Sequence, residues 1–277
     1  LPNFIKILDK NVSALLIETR AANPELLSQQ IFQLEVILAD FEQTNAIQFT
    51  DIASEYSQLW AIRKGTFPAV GAVRENGTTV IIEDVAFPVE QLANGVADLQ
   101  ALFNKYHYDE AIIFGHALEG NLHFVFTQDF GNQTEIDRYQ AFMDDVCQLV
   151  AVDYQGSLKA EHGTGRNMAP FVELEWGKQG LELMQQIKQL FDPKNLLNPG
   201  VIINDDANAH IKHLKALPAA DTIVDKCIEC GFCEPVCPSN GLSFTPRQRI
   251  TSFREISRFT QSNENPKLLA ELKKEFC

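Results

Sequence analysis

Cysteine placement constrains this chain more than any other feature. The run Cys227-x-x-Cys230-x-x-Cys233-x-x-x-Cys237-Pro238 puts four of the six cysteines within eleven residues. Three thiolates at two-residue intervals let one loop wrap a cubane with backbone N–H groups aimed at its sulfides, so the spacing predicts that these four residues are 4Fe–4S ligands. The alternative is a zinc knuckle, but zinc ribbons usually separate two Cys-x-x-Cys pairs by a long spacer, whereas these thiols are contiguous. In two-cluster proteins the fourth cysteine of such a run ligates the other cluster, so Cys237 is expected to serve a partner motif, and none follows before residue 277. Cys147 falls in an amphipathic pattern and reads as a buried, inert thiol.

Composition narrows the rest. At about 150 residues per domain, 277 residues suggest two domains. With 37 acidic against 23 basic residues, net charge −14, the chain repels phosphate backbones, which argues against nucleic-acid binding. No apolar run approaches the ~18 residues of a membrane helix. Residues 241–277 differ, with seven basic and four acidic residues, and Arg247, Arg249, Arg254 and Arg258 are read as a solvated helix face or one that touches a partner subunit. Clustered thiols and no leader segment point to a reducing, cytoplasmic setting. The chain opens at Leu1 rather than Met and stops at Cys277, and is expected to be a piece of something longer.

Periodicity places the elements. Short strands are expected at 14–18 and 46–49, a helix from Pro24 through Leu38 and Phe41, and a second helix over 51–64 that ends before Gly65 and Pro68, leaving Arg63 at a helix end. A β-branched strand over 78–85, a helix from Pro88 to Phe103, a strand pair at 111–115 and 121–127 turned by Glu119-Gly120, and a helix over 133–152 follow. Further helices are expected near 177–191, 246–259 and 266–276, with a domain boundary near residue 206. These give two similar halves in an α+β fold, an antiparallel sheet covered on one face by helices, followed by a small helical iron–sulfur domain.

His116 and His123 flank the expected turn, so both imidazoles can converge on one ion. Alternation along 121–127 buries Leu122, Phe124 and Phe126 and puts Asn121, His123 and Val125 on the other, open face. Glu161-His162-Gly163-Thr-Gly165 adds a carboxylate and a third imidazole on a glycine loop. Each histidine taken alone reads equally as a surface or satisfied core residue. Arg63 is a helix-end charge or a fork for a substrate carboxylate. The chain has no H-E-x-x-H helix, which counts against a zinc protease.

Together, Phe114-Gly-His116-Ala-Leu-Glu-Gly-Asn121-Leu-His123, Glu161-His162-Gly-Thr-Gly165, Phe191-Asp-Pro-Lys-Asn-Leu-Leu-Asn198-Pro-Gly200 and Cys227 to Pro238 resemble the FAD-linked 2-hydroxyacid dehydrogenases of the vanillyl-alcohol-oxidase type, in the large bacterial form with an appended iron–sulfur module. The resemblance implies a ferredoxin-like substrate or cap domain over 1–205 and the first part of a 4Fe–4S module over 206–277, with FAD bound mostly by an upstream domain. It implies that His116, His123 and Glu161 hold a divalent metal (Zn, Mn or Fe), that His162 is the general base, that Arg63 binds the substrate carboxylate and that Asn121 lines the same pocket. It implies oxidation of a D-2-hydroxy acid of the D-lactate, glycolate or D-2-hydroxyglutarate class, with electrons leaving through the clusters to a quinone or carrier protein. Peripheral membrane association and homo-oligomers are compatible with it. Members acting on D-2-hydroxyglutarate tend to carry a lysine and an asparagine where this chain has Ile82 and Val125. The competing readings are a non-catalytic iron–sulfur electron-transfer or docking module, in which those two residues are signs of decay, and a zinc hydrolase that needs no flavin.

Overall fold

β-Branched residues and a glycine turn build the sheet that carries the site. Thr78–Ala86 (β1), Ile112–His116 (β2) and Asn121–Asp129 (β3) form a three-stranded antiparallel sheet in the order β1-β3-β2. Leu92–Lys105 (α3) connects β1 to β2, and β3 inserts between them, a split βαβ arrangement. A tight 3-10 turn at Ala117–Glu119 joins β2 to β3 and closes on Gly120, whose φ of 66° lies in the left-handed region. A side chain there would also meet the Phe87 carbonyl oxygen at 2.1 Å, so glycine is required on both counts. The computed structural model describes residues 13–214, 217 and 219–276.

One sheet face forms the core. Val85, Leu122, Phe124 and Phe126 pack with Leu99 and Phe103 of α3 and with Tyr139, Phe142, Met143 and Val146 of Gln133–Cys147 (α4). Phe142 lies at the centre, with the rings of Phe103, Tyr108 and Phe126 4.8–5.6 Å from its own. Asn132 caps α4 by accepting the Glu135 N–H at 3.0 Å. Cys147 is fully buried, and burial pushes its thiol well above the ordinary range, as an inert core cysteine requires.

The chain divides into two compact units, Leu1–Phe67 and Pro68–Cys277. The first contains Pro24–Leu38 (α1), capped by Asn23 with Pro24 at its first position, and most of Ala53–Val73 (α2). The second contains the sheet, Val172–Phe191 (α5, bent at Gly177), Pro246–Ser262 (α6) and Pro266–Phe276 (α7).

Several expectations are corrected. Residues 14–18 and 46–49 are not strands: a strand needs a neighbour to complete its hydrogen bonds, and neither segment pairs among the described residues. The two halves are therefore not alike, since among the described residues all three strands lie after residue 77. α2 continues past Gly65 and Pro68, so Arg63 is within the helix and not at its end. Thr66 Oγ1 donates to the Arg63 carbonyl at 2.7 Å in the turn ahead of the proline.

Candidate functional site

Sheet register assembles the site. Asp84 and Phe114 both lie opposite His123, and Ala86 and His116 both lie opposite Asn121. Side chains opposed in register share a face, so Asp84, His116, Asn121 and His123 project together, away from the aromatic core. That face is not open, as the alternation suggested: His123 is 4% exposed, Asn121 6% and Val125 fully buried. The cover at His123 is the segment 157–162. Ser157 bridges to Ala86 through two backbone hydrogen bonds of 2.9 Å, and the His162 ring stacks on the His123 ring at 5.1 Å.

Two acidic neighbours on β1 hold this segment from opposite faces. Asp84 Oδ2 accepts the Glu161 N–H at 2.6 Å and the His162 N–H at 3.1 Å. Glu83, on the core face, pairs with the Lys159 ammonium and accepts from Asn167 Nδ2 at 2.6 Å. Burial pushes the Glu83 carboxyl up, against the pull of Lys159. Reasoning from motifs missed Asp84, Lys159 and Asn167 as positioning groups. The available signal was the Glu83-Asp84 pair in an otherwise apolar strand, because alternation must send one of two adjacent acids into the core, where it needs a cation.

Glu161 Oε1 then lies 2.8 Å from His123 Nε2 and 3.7 Å from His116 Nε2. The three donor atoms are all within 4.8 Å of one another, and so are those of Asp84, His123 and His162. Two imidazoles and a carboxylate suit zinc, manganese or iron. Burial holds His123 below its ordinary pKa despite Glu161, which favours the neutral, ligating imidazole. The buried Asp84 Oδ1, Asn121 Oδ1 and His123 Nδ1 have no hydrogen-bond partner among the described residues. A donor set of this kind, with unspent buried polar atoms, fits a divalent cation. A cleft of about 520 Å³ opens beside it, lined by His116, Asn121, Ser157, Ala160 and Glu161 among others. His162 is half exposed, with Nδ1 3.9 Å from Asp84 Oδ1 and Nε2 3.7 Å from Glu161 Oε1. Arg63 belongs to the first compact unit.

The cysteine run is a loop of tight turns. Cys227 and Cys237 are partly exposed, and Cys230 and Cys233 are exposed. Gly231, with φ 81°, and Glu229, with φ 60°, turn the backbone through the left-handed region between the thiols. Cys227 Sγ accepts the Glu229 N–H at 3.3 Å. The Ser239 hydroxyl, its N–H and Arg249 hold the Cys237 thiol below its ordinary pKa. Four reachable thiols, one with its thiolate favoured and one already bonded to a backbone N–H, fit an iron–sulfur cluster. Arg254 departs from the expected solvated face: it is 3% exposed and directed at this loop. A charge pattern along a helix does not distinguish water from a turn rich in carbonyls as its neighbour.

Among known proteins, the family model described as FAD linked oxidases, C-terminal domain, matches residues 3–202, and that of the 4Fe-4S binding domain matches residues 221–243. The glycolate oxidase subunit GlcD of Bacillus subtilis is 30% identical over 197 residues, 69% of this chain and 42% of that protein. A D-lactate dehydrogenase of Anaerostipes hadrus is 24% identical over 64% of this chain and 43% of its own length. A D-2-hydroxyglutarate dehydrogenase of Haemophilus influenzae is 26% identical over 90% of this chain and 27% of its own length. The chain spans less than half the length of these relatives. No described helix is long and apolar enough to cross a membrane.

Proposed function

Because the chain belongs to the FAD linked oxidases through their C-terminal domain and carries a 4Fe-4S binding motif, we propose that it is the substrate-side part of a flavoprotein that oxidises a D-2-hydroxy acid to the 2-oxo acid and passes the electrons through an iron–sulfur cluster to a quinone or carrier protein. Residues 1–205 would be the substrate domain, with β1, β2 and β3 as the centre of a ferredoxin-like sheet, and 206–277 the beginning of the cluster module. The observation that carries this reading is the single carboxylate of Asp84, which brings Glu161 and His162 over His116 and His123.

When bound, flavin supplies hydride acceptance, a divalent cation acidifies a coordinated hydroxyl, and an iron–sulfur cluster passes electrons singly. His116, His123 and Glu161 hold the cation. His162 accepts the substrate hydroxyl proton at Nε2, its Nδ1 side facing Asp84. Asn121 lines the cleft, and Arg63 takes the substrate carboxylate on the strength of the family resemblance. Ile82 and Val125 lie directly opposite each other in the β1–β3 register, on the face of His123. That apolar pair provides no charge for a second carboxylate, which favours the glycolate or D-lactate class over D-2-hydroxyglutarate.

The test is anaerobic addition of glycolate, D-lactate and D-2-hydroxyglutarate to the full-length protein while flavin absorbance is recorded. Bleaching is expected with a monocarboxylic substrate. His162→Asn is expected to abolish bleaching while substrate still binds. Undiminished reduction in that variant rejects the base assignment, and no bleaching with any of the three rejects the activity.

A further inference from the structure

Two buried arginines meet at the cysteine loop. Arg254, on α6, donates from Nη2 to the carbonyl oxygens of Val224 at 2.8 Å, Cys227 at 2.7 Å and Asp225 at 3.4 Å, and from Nη1 to Glu229 Oε1 at 2.8 Å. Arg74, between α2 and β1, is 7% exposed. Its Nη2 donates to the carbonyls of Asp225 and, at 3.2 Å, Cys227, while its Nη1 holds the start of β1 through the Thr78 carbonyl at 2.6 Å. Both guanidiniums therefore share the Asp225 and Cys227 carbonyls.

Holding two cations this close and out of water costs desolvation and mutual repulsion. Burial and Arg254 both hold Arg74 below its ordinary pKa. Glu229 pairs with Arg254, and the charges of Asp225, Cys227 and Glu229 favour the Arg74 cation without offsetting its burial and Arg254, while Asp225 Oδ1 accepts from the N–H groups of Ala220 and Asp221 at 2.8 and 3.2 Å. A cluster held by four thiolates is a net anion, and it becomes more negative on reduction. Peptide planarity adds a second effect. In a trans peptide the C=O and N–H point in opposite directions, so drawing the Cys227 carbonyl to the arginines turns the Ile228 N–H away from them. The next N–H, that of Glu229, reaches Cys227 Sγ.

We propose that Arg74 and Arg254 form a guanidinium clamp that raises the reduction potential of the cluster held by Cys227, Cys230 and Cys233, by placing positive charge beside it and by orienting the peptides of its first turn. Net charge and hydrogen bonds to sulfur are two of the levers by which a protein sets such potentials. The proposal rests on the cysteine motif and this geometry, not on the identity of the hydroxy acid.

The test is a redox titration of the cluster in the full-length protein, followed by electron paramagnetic resonance after reconstitution. Arg74→Met and Arg254→Met are each expected to shift the reduction equilibrium about tenfold toward the oxidised cluster, a fall of about 59 mV for one electron. Arg74→Lys and Arg254→Lys, which keep the charge, should recover part of the shift. Wild-type potentials in cluster-loaded Met variants overturn the proposal. If the Met variants take up no cluster, Arg74→Gln and Arg254→Gln, which keep donors and drop the charge, must still lower the potential. A wild-type potential in them, or failure of these to load as well, reduces the arginines to a structural role and rejects the clamp.

Discussion

At His123 the backbone is fixed from both sides by strand neighbours, whereas at Cys227 it is held by side chains that arrive from distant parts of the chain. β3 pairs along its length with β1 and over five residues with β2, and its far face packs on α3 and α4. The cysteine loop has no such ladder, and Phe232, Val236 and Leu242 around it are largely exposed. Its order rests on short backbone turns and on the carbonyls gathered by Arg74 and Arg254. A site of the first kind is organised by folding before any ion arrives. A site of the second kind gains much of its order from the ligand, because binding free energy there is also folding free energy.

The largest break in this contrast is Phe142→Ala. Truncating a fully buried ring among five other aromatic side chains should cost about 3–5 kcal/mol, measured by denaturant unfolding followed by tryptophan fluorescence. Because Phe142 supports the sheet, the variant should also weaken metal binding, while iron incorporation at the cysteine loop changes less. Equal loss at both sites would mean that the two are not separately organised. A smaller effect is expected from Asp84→Asn. Replacing a carboxylate oxygen by an amide nitrogen opposes donor to donor at Glu161 and His162, or turns the amide so that its NH2 is unpaired, at a cost of about 1–3 kcal/mol. Metal affinity, measured by calorimetry with Zn or Mn, should fall with Glu161 no longer held in place, and the cluster spectrum should not change. Unaltered metal affinity would remove Asp84 from the site.

The same contrast explains what the sequence discloses. The β2–β3 hairpin was legible because two β-branched and aromatic runs flank Glu119-Gly120, and the turn cannot form with a side chain at 120. The grouping of His116 with His123 followed from that hairpin. Alternation correctly put Asn121 and His123 opposite the core but could not reveal that 157–162 folds over them, since that contact is made by Asp84, some 77 residues away along the chain. The segments 14–18 and 46–49 have strand composition without a strand partner, and composition does not report partners. Pro68 signals a helix end by local chemistry, yet α2 runs through it. The four cysteines were legible by spacing alone, while Arg254, which bonds to their loop, looked like surface charge and Arg74 belonged to no motif.

The smallest expected effect concerns the connection between the two regions. His210 lies in a 3-10 turn (Ala209–Ile211), is 5% exposed, packs on the Phe171 ring at 5.1 Å, and has neither ring nitrogen hydrogen-bonded among the described residues. Burial holds its pKa below 6.5, although Asp144 and Asp206 favour the cation. In the unfolded chain the imidazole takes up a proton as pH falls through 6.5, while the folded form does not until lower pH. Stability contributed by neutral His210 is therefore intact above 6.5 and declines as pH falls below it. His210→Leu removes that titration and two unsatisfied buried nitrogens, so the variant should lose less stability than the wild type between pH 7 and 5 in parallel thermal melts. Since His210 packs on Phe171 and its turn contacts α4, the flattening should be seen in sheet unfolding and not in the cysteine-loop spectrum. Parallel acid limbs in the two proteins would show that His210 is solvated, and an equal response of the cluster would show that the connection transmits proton uptake to both regions.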